Sequence, residues 1–160
     1  MTLVYFTVSS FDVLDSLDQM LTWSRERLIE KIYSYQIDRD DSGAVGKWGF
    51  RSSFSNGAGN QYDCSHITLT YCGLCSLLIL NDDLKRVDRA NIMRGLSEYQ
   101  KKSGCFYSSP GGESDLRFVY CATAICYILN DFSSIDVDQM VRFIMSTMVG
   151  VRRETAKIGT

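Results

Sequence analysis

One charged residue lies inside a stretch that is otherwise almost entirely apolar. The stretch is DLRFVYCATAICYIL, residues 115–129, and the charge is that of Arg117, close to its start. A guanidinium does not lose its charge, and burying it without a partner is costly. Arg117 is therefore a candidate for ligand binding, provided that the fold places it at an opening.

Cysteine and histidine supply further candidates. Cys72 and Cys75 form a C-x-x-C pair, which is compatible with a redox pair or half of a zinc site. The surrounding run YCGLCSLLIL is apolar, which favours a helix of the core. No second Cys or His pair at zinc-ligand spacing completes a zinc site. His66 is the only histidine, and no Cys or Ser carries a nucleophile motif that would use it. Its position alone favours a structural role, as a hydrogen-bonded histidine at the start of a helix.

The composition of the 160 residues argues against several classes of protein. Hydrophobic residues make up 45% and charged residues 22%, as in one ordinary globular domain. Because the net charge is −2 and Lys and Arg are scattered, we expect no nucleic-acid partner. No apolar run reaches the roughly 18–20 residues of a membrane span, and the N-terminus lacks signal-peptide features. We expect a cytoplasmic protein whose six cysteines form no disulfides.

The elements that carry these residues belong to an internal repeat. HITLTYCGLCSLLILNDD (66–83) aligns with DLRFVYCATAICYILNDF (115–132) at an offset of 49, and MTLVYFTVSSFDVLDS (1–16) joins at an offset of 66. Each copy is an apolar helix closed by an Asp/Asn-rich turn, and an amphipathic helix follows each one. The pattern predicts an all-α array of helical hairpins with an inner and an outer layer.

The repeat register assigns equivalent positions to residues far apart in the chain. One polar position is shared by Thr2, Thr68 and Arg117. A second position, three residues later on the same helix face, is shared by Tyr5, Tyr71 and Tyr120. Since the polar position falls in the first turn of each inner helix, where backbone N–H groups attract anions, we expect Arg117 to face a shared opening. The tyrosines either line that opening, suitably for an extended apolar ligand, or belong to the core.

The chain resembles the β subunits of protein prenyltransferases, and most of all that of protein geranylgeranyltransferase type I. The stretches that carry the resemblance are SFDVLDSLD, GFRSS, HITLTYCGLCSLLILNDDL and DLRFVYCATAICYILN. The resemblance implies an α/α toroid whose aromatic funnel binds an isoprenoid diphosphate and a C-terminal Cys-aliphatic-aliphatic-X peptide. The implied activity is transfer of a geranylgeranyl group to the cysteine of that peptide.

The resemblance also implies roles for individual residues on the peptide side of the site. Arg117 matches the arginine at the peptide and isoprenoid site, and Phe118 matches a wall of the pocket for the peptide's last residue. His66, Thr2 and Phe6 match further positions of the peptide pocket. For His66, the resemblance therefore favours a role in peptide binding over a purely structural one.

On the isoprenoid side, the matching positions are aromatic. Tyr71 and Tyr120 match residues that line the funnel. Thr68, counted with the peptide positions, stands where the type I enzyme usually has a small apolar residue. The farnesyl-transferring relative tends to carry a bulky aromatic residue at the position of Thr2, and the smaller Thr leaves room for a longer isoprenoid.

Cofactor and partners follow from the same resemblance. The family uses a zinc ion to activate the peptide thiolate, which attacks the first isoprenoid carbon as diphosphate leaves. The family's zinc ligands belong to later inner helices, so we expect no metal ligand and no catalytic residue in this chain. The implied partners are a prenyltransferase α subunit, geranylgeranyl diphosphate and the C-terminal peptides of Rho- and Rac-type small GTPases.

The predicted domain organisation follows the extent of the resemblance. Residues 1–148 are expected to form three repeats, about half of a toroid, and residues 149–160 a divergent, disordered tail. Such a chain would be part of a geranylgeranyltransferase type I β subunit and inactive by itself. The alternatives are a non-catalytic helical interaction module, or a fragment of a farnesyltransferase or Rab geranylgeranyltransferase β subunit.

Overall fold

A computed structural model describes residues 1–20, 22–37, 46–51 and 64–158. Within these residues the chain forms six α-helices and one short 3-10 helix at Leu17–Gln19. The α-helices are α1 (Thr2–Val13), α2 (Thr22–Tyr33), α3 (Ile67–Ile79), α4 (Arg89–Tyr99), α5 (Leu116–Leu129) and α6 (Val137–Ile158). Each predicted inner or outer helix coincides with one of them, so the predicted all-α class is confirmed.

The contacts between helices divide α1 to α5 into two layers. The inner layer consists of α1, α3 and α5, with α3 packed between the other two. In the outer layer, α2 packs on α3 and α4 packs on α5. The inner helices bury apolar side chains along their length, such as Leu74 and Leu77 in α3 and Ile125 in α5. This arrangement places the first turns of the inner helices next to one another.

The ends of the inner helices confirm the repeat register. Asp15, Asn81 and Asn130, which the offsets of 66 and 49 make equivalent, all adopt the left-handed conformation, with φ of 50°, 60° and 50°. Each donates its backbone N–H to the carbonyl three residues earlier, and the following residue donates to the carbonyl five residues earlier. This pair of bonds is the Schellman motif, which satisfies two of the carbonyls left free at a helix end. The three hairpins therefore share one joint, built with Asp or Asn in place of the usual Gly.

The segment 46–51 fixes the loop before α3 to the helices. The Trp48 ring lies over Gly95 in α4, and the Phe50 ring lies over Gly73 in α3. Both rings are fully buried. The Phe50 N–H also donates to Thr70 Oγ1 at 3.1 Å. The described part of the connection between α2 and α3 is thus anchored in the core, whereas residues 40–45 and 52–60 lie outside the described residues.

Successive outer helices are connected by glutamine side chains. Gln36 follows α2, and its amide donates to the Arg86 carbonyl and accepts from the Asp88 N–H just before α4, both at 3.2 Å. Gln100 follows α4 and makes the same two bonds to the Asp136 backbone before α6, at 2.9 and 2.7 Å. A side-chain amide carries both a donor and an acceptor, so it can bond to a backbone carbonyl and a backbone N–H together. These contacts hold each outer helix to the start of the next.

The last helix extends beyond the predicted end of the repeats. The apolar stripe of α6 is only partly covered, since Met140 is buried whereas Val141, Met145 and Met148 are about half exposed. The helix continues through Ile158. The expectation of a disordered tail over 149–160 is therefore corrected for residues 149–158, which are helical, while the division into a domain and a tail stays a prediction. No helix in the described residues combines the length and apolar character needed to cross a membrane.

Candidate functional site

A cavity of about 560 Å³ opens between the first two turns of the inner helices. Its size is within the range of small-molecule sites, roughly 300–1,000 Å³. The lining residues are Thr2, Tyr5 and Phe6 from α1, Thr68, Tyr71 and Cys72 from α3, and Leu116, Arg117, Phe118, Tyr120 and Cys121 from α5. Apart from the charge of Arg117, this lining is aromatic, aliphatic or neutral, which suits an apolar ligand.

The lining uses the same three helix positions on each inner helix. The first position holds Thr2, Thr68 and Arg117; the second holds Tyr5, Tyr71 and Tyr120; the third holds Phe6, Cys72 and Cys121. These positions lie within about one turn of each other, on one side of a helix. Equivalent positions of the three repeats thus form most of the cavity wall. Leu116 and Phe118 of α5 complete it.

The three tyrosines form a continuous row across the cavity wall. The rings of Tyr5 and Tyr71 and those of Tyr71 and Tyr120 meet edge to face, with centroids 5.8 and 5.6 Å apart. Their hydroxyl oxygens are 3.4 and 3.3 Å apart. Burial, followed by the hydrogen bonds to Tyr120 and Tyr5, raises the pKa of Tyr71. Because Tyr120 is 62% exposed, the interpretation of all three tyrosines as core residues is wrong.

The charge of Arg117 is already paired in this structure. Its side chain is 68% exposed. The guanidinium donates to both Asp115 carboxylate oxygens, since Nε lies 3.1 Å from Oδ1 and 2.9 Å from Oδ2, and Nη2 lies 2.5 Å from Oδ2. Nη2 also lies 3.1 Å from Glu113 Oε2. The hydrogen bond from Arg117 holds the pKa of the Asp115 carboxyl below its usual range. Since exposed ion pairs are weakly held, the guanidinium can exchange these carboxylates for an anionic ligand at the mouth of the cavity.

His66 combines a structural role with a place beside the cavity. Its Nδ1 accepts the Thr68 N–H at 3.2 Å and so caps α3. Burial lowers the pKa of His66, and the nearby Glu113 carboxylate opposes this. A neutral imidazole that accepts at Nδ1 carries its proton at Nε2. The ring centroid lies 5.9 Å from that of Phe118, which places His66 at the rim.

The cysteines that line the cavity are protonated thiols. Burial raises the pKa of Cys72 to about 11 and also raises the pKa of Cys121. All six cysteines are free, and Cys72 and Cys75 both lie within α3. A thiol acts as a nucleophile or metal ligand only once deprotonated. In the part of the chain that the structure describes, no group of three or more His, Cys, Asp or Glu side chains could hold a metal ion, so these residues do not fit a zinc site.

The structure brings the residues predicted from the sequence together. Seven of the eight line the cavity, namely Thr2, Phe6, Thr68, Tyr71, Arg117, Phe118 and Tyr120, and His66 lies beside them. The predicted site residues did not include four residues of the lining, namely Tyr5, Cys72, Cys121 and Leu116. Tyr5 shares its repeat position with Tyr71 and Tyr120, and both cysteines share theirs with Phe6, so the register could have identified these three. No comparable signal marked Leu116.

Comparison with known proteins gives this cavity a context. The family model described as the prenyltransferase alpha-alpha toroid domain matches residues 1–149. The geranylgeranyl transferase type-1 subunit beta of Arabidopsis thaliana is 30% identical over 156 residues, covering 91% of this chain and 41% of that protein. The subunit of the same name from Dictyostelium discoideum is 30% identical over 167 residues, covering 92% and 47%. The chain therefore spans less than half the length of these relatives.

A solved structure supports the same architecture. Candida albicans protein geranylgeranyltransferase-I complexed with GGPP superposes with a TM-score of 0.71 at 23% sequence identity, over 90% of this chain and 43% of that one. At this level of identity the likeness is one of fold. It confirms that the two helical layers described above are arranged as in an α/α toroid.

Proposed function

Because the chain belongs to the prenyltransferase α/α-toroid family, we propose that its cavity forms part of the lipid and peptide site of a geranylgeranyltransferase type I β subunit. The observation that carries the proposal is the wall of three tyrosines in one row, with Arg117 at the mouth. Aromatic faces and edges suit the repeated methyl branches of an isoprenoid chain. An arginine at the mouth suits an anionic end group.

In this proposal, different residues of the cavity contact the isoprenoid and the peptide. Tyr71 and Tyr120 contact the isoprenoid, while Thr2 and Thr68 are small side chains in the row above the tyrosines. Arg117 binds the anionic end of the peptide or lipid after releasing Asp115. The remaining peptide contacts come from His66, Phe6 and Phe118, which lie in or beside the same cavity.

In the proposed reaction, a peptide thiolate attacks the first carbon of geranylgeranyl diphosphate, and diphosphate leaves. The contribution of this chain is to bind and orient the isoprenoid beside the peptide, which lowers the entropic cost of bringing them together. The zinc ion that the family resemblance implies would be held by residues other than those described here. We accordingly propose that the chain by itself binds lipid but does not catalyse transfer.

The test uses the chain co-expressed with a prenyltransferase α subunit. We expect the two to co-purify, the complex to bind geranylgeranyl diphosphate, and the zinc content and transfer of labelled geranylgeranyl to a peptide ending in Leu to stay at background. Robust zinc-dependent transfer by these 160 residues would contradict the assignment of an inactive chain. Absence of lipid binding would contradict the proposed function, and α-subunit binding without lipid binding would support a non-catalytic interaction module.

Lipid length provides a sharper test of specificity. Thr2→Trp fills the cavity beside Tyr5 and Tyr71 with a bulky ring, so we expect it to weaken binding of geranylgeranyl diphosphate more than that of farnesyl diphosphate. Thr7→Trp, five residues further along α1 and outside the cavity lining, is the matched control. Equal losses for the two lipids in Thr2→Trp would favour a farnesyltransferase assignment or a different lipid position.

A further inference from the structure

The row of tyrosines raises a problem for an apolar ligand. Each ring offers an apolar face or edge, but each also carries a hydroxyl group that needs a hydrogen-bond partner when water is excluded. An isoprenoid chain has no donor or acceptor along its length. Covering the wall with such a chain would therefore cost affinity at every hydroxyl without another partner.

The geometry supplies that partner within the wall. The Tyr71 hydroxyl lies between those of Tyr5 and Tyr120, at 3.4 and 3.3 Å, and the three residues occupy one repeat position on α1, α3 and α5. A central hydroxyl can donate to one neighbour and accept from the other, so two hydrogen bonds give every hydroxyl in a row of three a partner, and only one O–H, at an end of the row, is left to donate outside it. Both distances are longer than the usual O–H···O length of about 2.8 Å, and they leave room to shorten when water leaves.

We propose that Tyr5, Tyr71 and Tyr120 act as one hydroxyl ladder, whose mutual hydrogen bonds make the tyrosine wall effectively apolar toward a prenyl chain. In this arrangement Tyr5 is a positioning residue: its hydroxyl satisfies Tyr71 and fixes the ring edge that the ligand meets. The inference rests on the proposed function, since it assumes that the cavity takes a prenyl chain. The inference assigns a role to Tyr5, which the site residues predicted from the sequence did not include. It also states that each of the three hydroxyls depends on its neighbours for a hydrogen-bond partner.

The ladder has a consequence that three independent aromatic contacts would not have. Tyr71→Phe leaves the hydroxyls of Tyr5 and Tyr120 without their partner in the row, whereas Tyr5→Phe removes only one of the two partners of Tyr71. In both variants the wall becomes more polar where it is covered. Replacing all three by Phe removes every hydroxyl together, and a set of partners replaced by apolar groups of the same shape is close to neutral. Single variants should therefore bind a prenyl chain more weakly than the triple variant does.

The experiment measures binding of two probes, geranylgeraniol and geranylgeranyl diphosphate, to the complex with the α subunit. For geranylgeraniol we expect Tyr71→Phe to bind about tenfold more weakly than wild type, Tyr5→Phe a few-fold more weakly, and the triple Phe variant within about threefold of wild type. Tyr127→Phe, on the exposed side of α5 and outside the cavity, is the matched control and should not change binding. Circular dichroism melting verifies that every variant is folded.

The outcomes separate the ladder from the function. If wild type binds both probes but the losses in the single variants add up to an equal or larger loss in the triple variant, the ladder is overturned and the proposed function stands. If geranylgeraniol binds with the non-additive pattern and the diphosphate does not bind, the ladder stands and the proposed function is overturned. Wild-type binding of neither probe overturns both.

Discussion

The indole ring of Trp48 occupies the space that a side chain at Gly95 would need. A Cβ atom at position 95 would lie 2.1 Å from the ring, far inside van der Waals contact. The same indole packs edge to face on Tyr99, with centroids 4.7 Å apart. One glycine in an outer helix thus allows a loop residue to reach the core.

The first prediction concerns this contact. In an exposed helix position, Gly→Ala usually stabilises by about 0.5–1 kcal/mol. At Gly95 the clash with Trp48 reverses the sign, and we expect Gly95→Ala to lower the free energy of unfolding by about 1–3 kcal/mol, the usual cost of overpacking. Urea denaturation followed by tryptophan fluorescence measures this, and Ser97→Ala on the exposed side of α4 serves as the control. A Gly95→Ala variant as stable as that control would contradict the packing described.

A second prediction tests the left-handed joint at the end of α3. Asn81 has φ of 60°. Valine is strained in this conformation by about 1–2 kcal/mol, whereas glycine adopts it freely. We expect Asn81→Val to lower the free energy of unfolding by that amount and Asn81→Gly to leave it unchanged or slightly higher. The same pair of substitutions at Asn130 should give the same order, and a tolerated valine at both positions would refute the shared joint.

The third prediction is a pH dependence that a single group controls. The pKa of His66 is lowered in the folded chain by burial, from about 6.5 in the unfolded chain, and its neutral Nδ1 caps α3. The cap is therefore fully present above about pH 6.5 and is lost as the pH falls through the lower folded-state pKa. His66→Asn keeps an N-cap acceptor without a titrating group. As the pH falls below about 6.5, the stability of wild type should fall more steeply than that of His66→Asn; parallel curves would disprove the assignment.

The fourth prediction separates binding from stability at Arg117. Because its side chain and both of its carboxylate partners are largely or partly exposed, Arg117→Met should leave the urea midpoint almost unchanged. If the guanidinium binds the anionic end of a peptide or lipid, the same variant should reduce that affinity about tenfold or more. Lys102→Met removes an equal charge from an exposed loop and is the control. Binding losses of equal size in the two variants would indicate only a long-range charge effect.

The layers of this fold could be predicted from the sequence because the signals were local and repeated. Apolar inner helices, amphipathic outer helices and Leu-Asn/Asp turns recur at two offsets, and equivalent positions must then meet in space. That is why Tyr5, Tyr71 and Tyr120 could be placed in one row before any coordinates. Their hydroxyl contacts and the exposure of Tyr120 depend on side-chain geometry between helices, which periodicity does not determine.

Other features had no local signal. The pairing of Arg117 with Asp115 and Glu113 depends on how the loop before α5 approaches the helix. Trp48 packs on Gly95, which lies 47 positions further along the chain. The sequence around either residue contains no pattern that predicts this contact. The helical continuation of α6 through Ile158 also differs from the expectation drawn from the divergent composition of that segment.

The three identical joints also bear on the curvature of the molecule. Each Schellman turn sets the direction in which the chain leaves its inner helix, and the same left-handed residue and pair of hydrogen bonds recur at Asp15, Asn81 and Asn130. In a structure that bends by a constant step, an angular error at one joint displaces every later hairpin by a distance that grows along the chain. Substitutions at these three residues should therefore act on how the successive hairpins are arranged, at sites remote from any ligand, as well as on local stability.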